Sequence, residues 1–277
     1  MWKQTNQEVF FAYNEPVFRQ RETEFIPMIF FATHNISDPK TVDFYTFIEN
    51  DKPCAQAIRS GNRLEVGILP QHSVSSLVGH LSTPKPQISE IRGFAESVDL
   101  FVPKWTQKHS STAELFLHAG LYTLDTLTLP PLRGGNLICA GEEHKPISAR
   151  FIRGFLDDCF PELTNPERHV AKDMEKLIDK KNLFLWQNNK AEFVSIAAQV
   201  RTSWNTASIS RVYTPPQYRG KGYARCVTGM LSDKIMREQN RTCNLFADVN
   251  NPSSNYVYRS LGYYKINEEK SVFLPLA

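Results

Sequence analysis

Apolar positions in the second half of the chain recur with two different periods. One set is spaced four residues apart and predicts an amphipathic helix over 146–160: Ile147, Phe151, Phe155 and Cys159. The same spacing predicts a helix over 222–239. Runs rich in β-branched and aromatic residues predict strands at 136–140, 183–187, 192–200, 206–213 and 245–249. Because strands outnumber helices and several are joined by short turns, the pattern predicts a mixed α+β fold rather than a doubly wound one.

The first half has a less regular pattern. Ser37-Asp38-Pro39 resembles a helix start, and Val42, Tyr45 and Ile48 would then lie on one helix face. A strand is predicted at 64–69, and 113–124 fits a helix or a strand equally well. These elements predict a second α+β domain, and none of them carries a recognisable chemical motif.

The segment 129–135 is the strongest candidate for a domain boundary. Its sequence, Leu-Pro-Pro-Leu-Arg-Gly-Gly, can continue neither a helix nor a strand ladder. We therefore predict an N-terminal domain over 1–130 and a C-terminal domain over 131–277, and both lengths suit a domain.

Composition narrows the class of protein. The 277 residues include 32 lysines and arginines and 29 acidic residues, so the net charge is only +3. This balance argues against a dedicated nucleic-acid binder. Apolar stretches are far shorter than a membrane helix, and the first residues carry no apolar signal-peptide core. We therefore expect neither a nucleic acid nor a membrane as partner.

The cysteines and histidines do not form a ligand pattern. Five cysteines stand apart without a Cys-x-x-Cys pair, and seven histidines lack the spacing of zinc ligands. We expect no metal and no disulfide framework. A chain with free cysteines fits a reducing compartment, so the expected location is the cytoplasm.

The segment 212–224 is a strand, a proline stop and a glycine-bearing loop that opens a helix. Gly220 and Gly222 let the backbone turn sharply and approach a ligand, and the helix start leaves N–H groups unpaired. Arg219 and Lys221 add positive charge, and there is no acidic residue between Glu192 and Asp233. The pattern predicts a phosphate site. The spacing fits neither a Walker loop nor a dinucleotide fingerprint.

The pattern Arg/Gln-x-x-Gly-x-Gly/Ala is met by Arg219, Gly222 and Ala224. Together with Asn-Pro-x-Ser-Asn-x-x-Tyr-x-x-x-Gly-Tyr within 248–263, it resembles the GNAT superfamily of acetyl-CoA-dependent N-acetyltransferases over roughly residues 135–277. The resemblance implies an acyl-CoA N-acyltransferase-like fold, whose central sheet is mixed, mostly antiparallel and flanked by helices. It also makes the N-terminal half a candidate degenerate copy of that fold, because some members of the superfamily have two such halves.

The resemblance implies which residues bind acetyl-CoA. Backbone amides of the loop would bind the pyrophosphate: Arg219, Gly220, Lys221, Gly222, Tyr223 and Ala224. Val212, Tyr213 and Thr214 would pair with pantetheine and polarise the acetyl carbonyl. Asn255 would contact pantetheine, and Tyr258 would protonate the leaving thiolate.

The implied function is transfer of an acetyl group from acetyl-CoA to a primary amine by direct attack in a ternary complex. The acceptor would be a small molecule or a peptide, and neither its identity nor the oligomeric state follows from the sequence. Glu192 and Asp248 are candidates for the base that removes the amine proton. Two alternatives stand beside this interpretation: a module that binds acyl-CoA without turnover, and a transferase for a longer acyl group.

Overall fold

Strands and helices follow one another in the same order twice along the chain. The first run contains β1 (Trp2–Thr5), α1 (Gln7–Gln20), α2 (Glu22–His34), β2 (Val42–Glu49), β3 (Lys52–Ser60), β4 (Arg63–Val66), α3 (Gln71–Leu81), β5 (Glu90–Phe94), α4 (Ala95–His109) and β6 (Glu114–Leu124). The second contains β7 (Asn136–Cys139), α5 (Lys145–Cys159), α6 (Pro166–Asp179), β8 (Leu183–Gln187), β9 (Phe193–Thr202), β10 (Thr206–Tyr213), α7 (Tyr223–Gln239), β11 (Thr242–Asp248), α8 (Pro252–Ser260) and β12 (Tyr264–Phe273). This computed structural model describes residues 1–34, 42–82, 88–131 and 134–275.

The two compact units of the molecule do not coincide with the two runs. Unit 1 comprises Met1–Leu121 together with Ile266–Ala277, and unit 2 comprises Tyr122–Lys265. The end of β6 therefore belongs to unit 2, and most of β12 belongs to unit 1. Most of β6 and most of β12 thus belong to unit 1, whereas the domain boundary at 130/131 stays a prediction from the sequence.

The sheet of unit 1 has the strand order β1-β2-β3-β4-β5-β12. All neighbours are antiparallel except β4 and β5, which are parallel. β4 and β5 stay paired through Val66 and Gly93. Gly93 has φ 151°, and a Cβ there would lie 1.9 Å from the Val66 carbonyl oxygen. At Gly93 and Val66 the two backbones are therefore too close together to admit even a Cβ atom.

The sheet of unit 2 has the strand order β11-β10-β9-β8-β7, and only β10 and β11 are parallel. Alternate residues of β8 face opposite sides of this sheet: Leu185 packs in the core with α5 and α6, and Phe184 packs in the core with α7. The helical face of α7 is formed by Val227, Leu231 and Ile235. A mixed, mostly antiparallel sheet flanked by helices is thus confirmed.

The helix predicted around Val42, Tyr45 and Ile48 is wrong, because these residues lie in strand β2. Residues 44–47 of β2 are all buried, so both faces of the strand are apolar and the two-residue alternation is hidden. The start signal at 37–39 lies outside the described residues. The segment 113–124, which fitted a helix or a strand, is the strand β6.

Candidate active site

Unit 2 contains a cavity of about 680 Å³ lined by the end of β10, the loop that follows it, and the first turns of α7 and α8. The structure brings together in its wall all of the predicted site residues except Lys221 and Asn255. Those in the wall are Val212, Tyr213, Thr214, Arg219, Gly220, Gly222, Tyr223, Ala224 and Tyr258.

β10 and β11 diverge beside this cavity. Their parallel pairing covers Thr206–Ile209 and Thr242–Leu245. Beyond it, β10 continues to Tyr213 and β11 to Asp248. The edge of Val212–Thr214 that would face β11 therefore has no strand partner there. Backbone N–H and C=O groups at such an edge are available to an extended ligand.

The N-terminus of α7 opens toward the same cavity. Gly222 is its N-cap, with φ 80°, and no side chain caps the helix. The first bonded amide is that of Cys226, which donates to the Gly222 carbonyl over 3.1 Å. By contrast, α8 is capped by the Asn251 side chain, which accepts from the Ser254 amide over 3.1 Å. The first turn of α7 therefore presents unpaired N–H groups, which suit an anion.

The two cations of the loop hold its shape. Arg219 Nε donates to the Thr214 carbonyl over 2.9 Å, its Nη2 contacts Asp158 of α5, and its guanidinium lies 5.7 Å from the centre of the Tyr213 ring. Lys221 Nζ donates to the Gln217 carbonyl over 3.2 Å and is exposed. A ligand can therefore contact mainly the backbone of the loop. At Gly220 the space that a Cβ would occupy is empty, so a ligand can approach the backbone there.

Asn255 lies behind the cavity wall and is 6% exposed. Its Nδ2 donates to the Asp248 carbonyl over 3.0 Å, and its Oδ1 accepts from Tyr122 Oη over 3.1 Å. These bonds fasten the connection between β11 and α8. Its contact with pantetheine stays a prediction. The adjacent wall is formed instead by Asn251, Ser253, Ser254 and Val257, none of which was predicted as a site residue.

Tyr258 is 7% exposed, and its ring lies 6.4 Å from that of Tyr122 and 6.2 Å from that of Tyr263. Within the described part of the chain, its hydroxyl makes no hydrogen bond. Burial, with a smaller effect of Cys159, raises the pKa of Tyr258 well above its usual value. The hydroxyl therefore stays protonated and can donate a proton into the cavity.

Sequence reasoning missed three wall-forming features of α5. Cys159 lines the cavity, and burial followed by the charge of Asp158 raises the pKa of its thiol to about 11. Asp158 lines it too and pairs with Arg219. Gly154 supports the wall, because a Cβ there would lie 2.4 Å from Cζ of Tyr213. A glycine inside a predicted helix was the one available signal.

Neither candidate base lines the cavity. Glu192 lies in the β8–β9 turn, where its Oε2 accepts from Asn188 Nδ2 over 2.9 Å. Asp248 accepts from the Asn250 amide over 2.8 Å. Both carboxylates therefore serve local turns.

Membrane-spanning helices and clusters of metal ligands are both absent from the described residues. None of their helices combines the length and the apolar character needed to cross a bilayer. Nor do three or more His, Cys, Asp or Glu side chains gather there as ligands of a metal ion would.

The sequence and the structure of this chain were similar to those of known proteins in two comparisons. Residues 189–273 match the family described as FR47-like protein, which is of the GNAT type. A GNAT-family acetyltransferase from Colwellia psychrerythraea is 14% identical with a TM-score of 0.62, and the match covers 100% of both chains. No curated protein matches the sequence.

Two further solved structures have the same fold over nearly their whole length. A Drosophila protein is 10% identical with a TM-score of 0.66, and the match covers 99% of this chain and 98% of that one. A GCN5-related N-acetyltransferase from Sphaerobacter thermophilus is 12% identical with a TM-score of 0.61, covering 98% and 94%. Over nearly its whole length, this chain therefore has the fold of solved GNAT acetyltransferases.

Proposed function

We propose, from the premise that this chain has the fold of the GNAT acetyltransferases, that it transfers an acetyl group from acetyl-CoA to a primary amine. The observation that carries the proposal is that three features line one cavity. They are the divergent edge of β10, the uncapped N-terminus of α7 and the protonated hydroxyl of Tyr258. The five cysteines are all free, which supports the cytoplasm as the proposed location.

Each part of the wall has a separate task in this reaction. The loop 219–222 and the first amides of α7 bind the pyrophosphate of acetyl-CoA. The edge of Val212–Thr214 pairs with the pantetheine amides, and a backbone N–H there stabilises the oxyanion that forms on the thioester carbonyl. The neutral amine attacks that carbonyl carbon, the C–S bond breaks, and Tyr258 gives its proton to the departing sulfur. The nitrogen loses one proton to solvent water, and Tyr258 regains one from the same source.

One coenzyme is expected per chain. In unit 1 the equivalent parallel strands, β4 and β5, stay paired to their ends. The connection from β4 to α3 is short, and the Leu69 amide donates to Ser97 Oγ over 3.0 Å. The described residues of unit 1 therefore offer neither a divergent strand pair nor a glycine loop to a second coenzyme.

Calorimetric titration of the full chain with acetyl-CoA, with free coenzyme A alongside, tests the proposal. We expect binding with a dissociation constant on the order of micromolar, equivalent to roughly 8 kcal/mol, and one site per chain. Amines of several classes and a longer acyl-CoA are then screened for thiol release. A folded sample that binds neither ligand overturns the proposal, and binding without thiol release from any amine indicates a non-catalytic module.

Bound acetyl-CoA should protect Cys159 from alkylation. Cys159 and Cys139 are both exposed, but only Cys159 lines the cavity. Labelling is done with iodoacetamide at pH 9, because the raised thiol pKa of Cys159 makes reaction slow at neutral pH. At a ligand concentration ten times the dissociation constant, the rate at Cys159 should fall about tenfold. Peptide mass spectrometry reads both sites, and equal rates at Cys159 with and without ligand would contradict the proposed binding mode.

A further inference from the structure

One residue of β10 lies in the left-handed region at the point where the strand leaves β11. Arg211 has φ 56° and sits in a register shift between Ser210 and Tyr213. For a residue with a Cβ, this conformation is strained and persists only where surrounding contacts enforce it. The residues that follow, Val212–Thr214, line the cavity.

The Arg211 side chain is fixed from two helices. Its Nε donates to Asp173 Oδ2 over 2.5 Å and its Nη2 to Asp173 Oδ1 over 3.2 Å, so the pair with α6 is bidentate. The guanidinium lies 5.4 Å from the centre of the Phe155 ring on α5. The Arg211 and Asp173 side chains are 25% and 18% exposed. A bidentate, partly buried pair is stronger than the exposed pairs found on most helices.

We propose that the Arg211–Asp173 pair holds this bulge and thereby positions the backbone of Val212–Thr214 toward the acyl thioester. The inference rests on the proposed function of the cavity. Arg211 is a positioning residue, because neither it nor Asp173 lines the cavity. A displacement of the strand edge by a fraction of an ångström would misalign the N–H that faces the thioester carbonyl. Such misplacement is costly for the chemical step.

Three variants separate the pair from the backbone conformation. Asp173→Asn keeps the side-chain size but removes the negative charge. The ion pair that stabilises the left-handed conformation of Arg211 is then lost. Arg211→Gly removes the pair together with the strain, because glycine adopts a positive φ freely. The third variant combines both changes. If the pair acts by holding the bulge, Asp173→Asn impairs the parent protein but has no further effect once residue 211 is glycine.

We expect Asp173→Asn to lower kcat about tenfold, while the KM for acetyl-CoA changes less than about threefold because the phosphate loop is untouched. Arg211→Gly should stay within about threefold of the parent kcat, and the double variant should equal Arg211→Gly. Asp233→Asn, which breaks the exposed Arg237 pair on α7, is the control and should behave as the parent. A Gly variant as impaired as Asp173→Asn, or a harmless Asp173→Asn, overturns the inference.

Amide hydrogen exchange without ligand tests the same inference independently of catalysis. Asp173→Asn should accelerate exchange in a peptide covering 209–214, and the same change should add nothing in the Arg211→Gly protein. If the parent protein fails to bind acetyl-CoA, the proposed function is wrong while exchange still decides whether the pair holds the bulge. Unchanged exchange in Asp173→Asn would show that it does not.

Discussion

Tyr258→Phe is expected to lower kcat roughly 10- to 100-fold, at the low end of general-acid effects, with little change in the dissociation constant for coenzyme A. The substitution removes only the hydroxyl. Since that hydroxyl makes no hydrogen bond among the described residues, its loss leaves no buried partner unsatisfied, and the fold should be unaffected. The remaining activity comes from the backbone groups that hold the thioester. Steady-state rates of thiol release and calorimetry on the same preparation give the two quantities.

Tyr263→Phe is the matched control. Its ring lies 6.2 Å from that of Tyr258 in the same core, and its hydroxyl bonds to Ser232 Oγ over 2.8 Å instead of facing the cavity. This variant should lose some stability but keep kcat. An unchanged kcat in Tyr258→Phe, or an equal loss in both variants, would remove Tyr258 from the role of acid.

The pH profile gives a second test of this role. Because burial raises the pKa of Tyr258 above its ordinary value, the group stays protonated up to and beyond pH 10. The proton-donating form is therefore present across the neutral and mildly alkaline range and is lost only above the raised pKa. We expect no fall in kcat between about pH 7 and pH 10 from this group. A falling limb within that range that disappears in Tyr258→Phe would contradict the raised pKa of Tyr258.

Gly93→Ala is expected to destabilise the protein by about 3 kcal/mol or more, through backbone strain and overpacking together. Its φ of 151° is accessible almost only to glycine, and the new Cβ would lie 1.9 Å from the Val66 carbonyl oxygen. Nothing flexible can yield, because the obstructing atom belongs to the backbone of the paired strand β4. Urea denaturation followed by circular dichroism should show a lower midpoint.

Gly79→Ala is the control for this experiment. Gly79 lies in α3 of the same unit, and no atom lies within 4 Å of the position its Cβ would take. Alanine favours the helix over glycine by roughly 0.5–1 kcal/mol, so this variant should be slightly more stable than the parent. If Gly93→Ala has the same denaturation midpoint as Gly79→Ala, β4 and β5 are not in close contact at Val66 and Gly93.

The parts of the site that could be predicted depend on short stretches of sequence. The loop around Gly220 and Gly222 is predictable because only glycine adopts its conformation freely, and both residues have positive φ. The start of α8 is predictable because Asn251 and Pro252 form a local helix cap. In both places, the residue types that determine the geometry are neighbours in the chain.

What could not be predicted depends on contacts between distant elements. The approach of Cys159 to Tyr258 and the pairing of Arg211 with Asp173 join residues whose separation in the sequence has no periodic pattern. The position of Asn255 behind the cavity wall likewise depends on its hydrogen bond with Tyr122, which is distant in the sequence. Strand β2 was mistaken for a helix because residues buried on both faces have no alternation, and three-residue spacing then occurs by chance.

The pairing of β12 with β5 of unit 1 has a consequence for synthesis on the ribosome. β5 of unit 1 pairs with β12, at register positions that run from Glu269 opposite Phe94 to Phe273 opposite Glu90. That partner is translated only after all of unit 2. Until it emerges, the nascent unit 1 has an open β5 edge, and such edges recruit strands from other chains. Emergence of β12, rather than emergence of β1–β6, is therefore the moment at which unit 1 can complete its sheet.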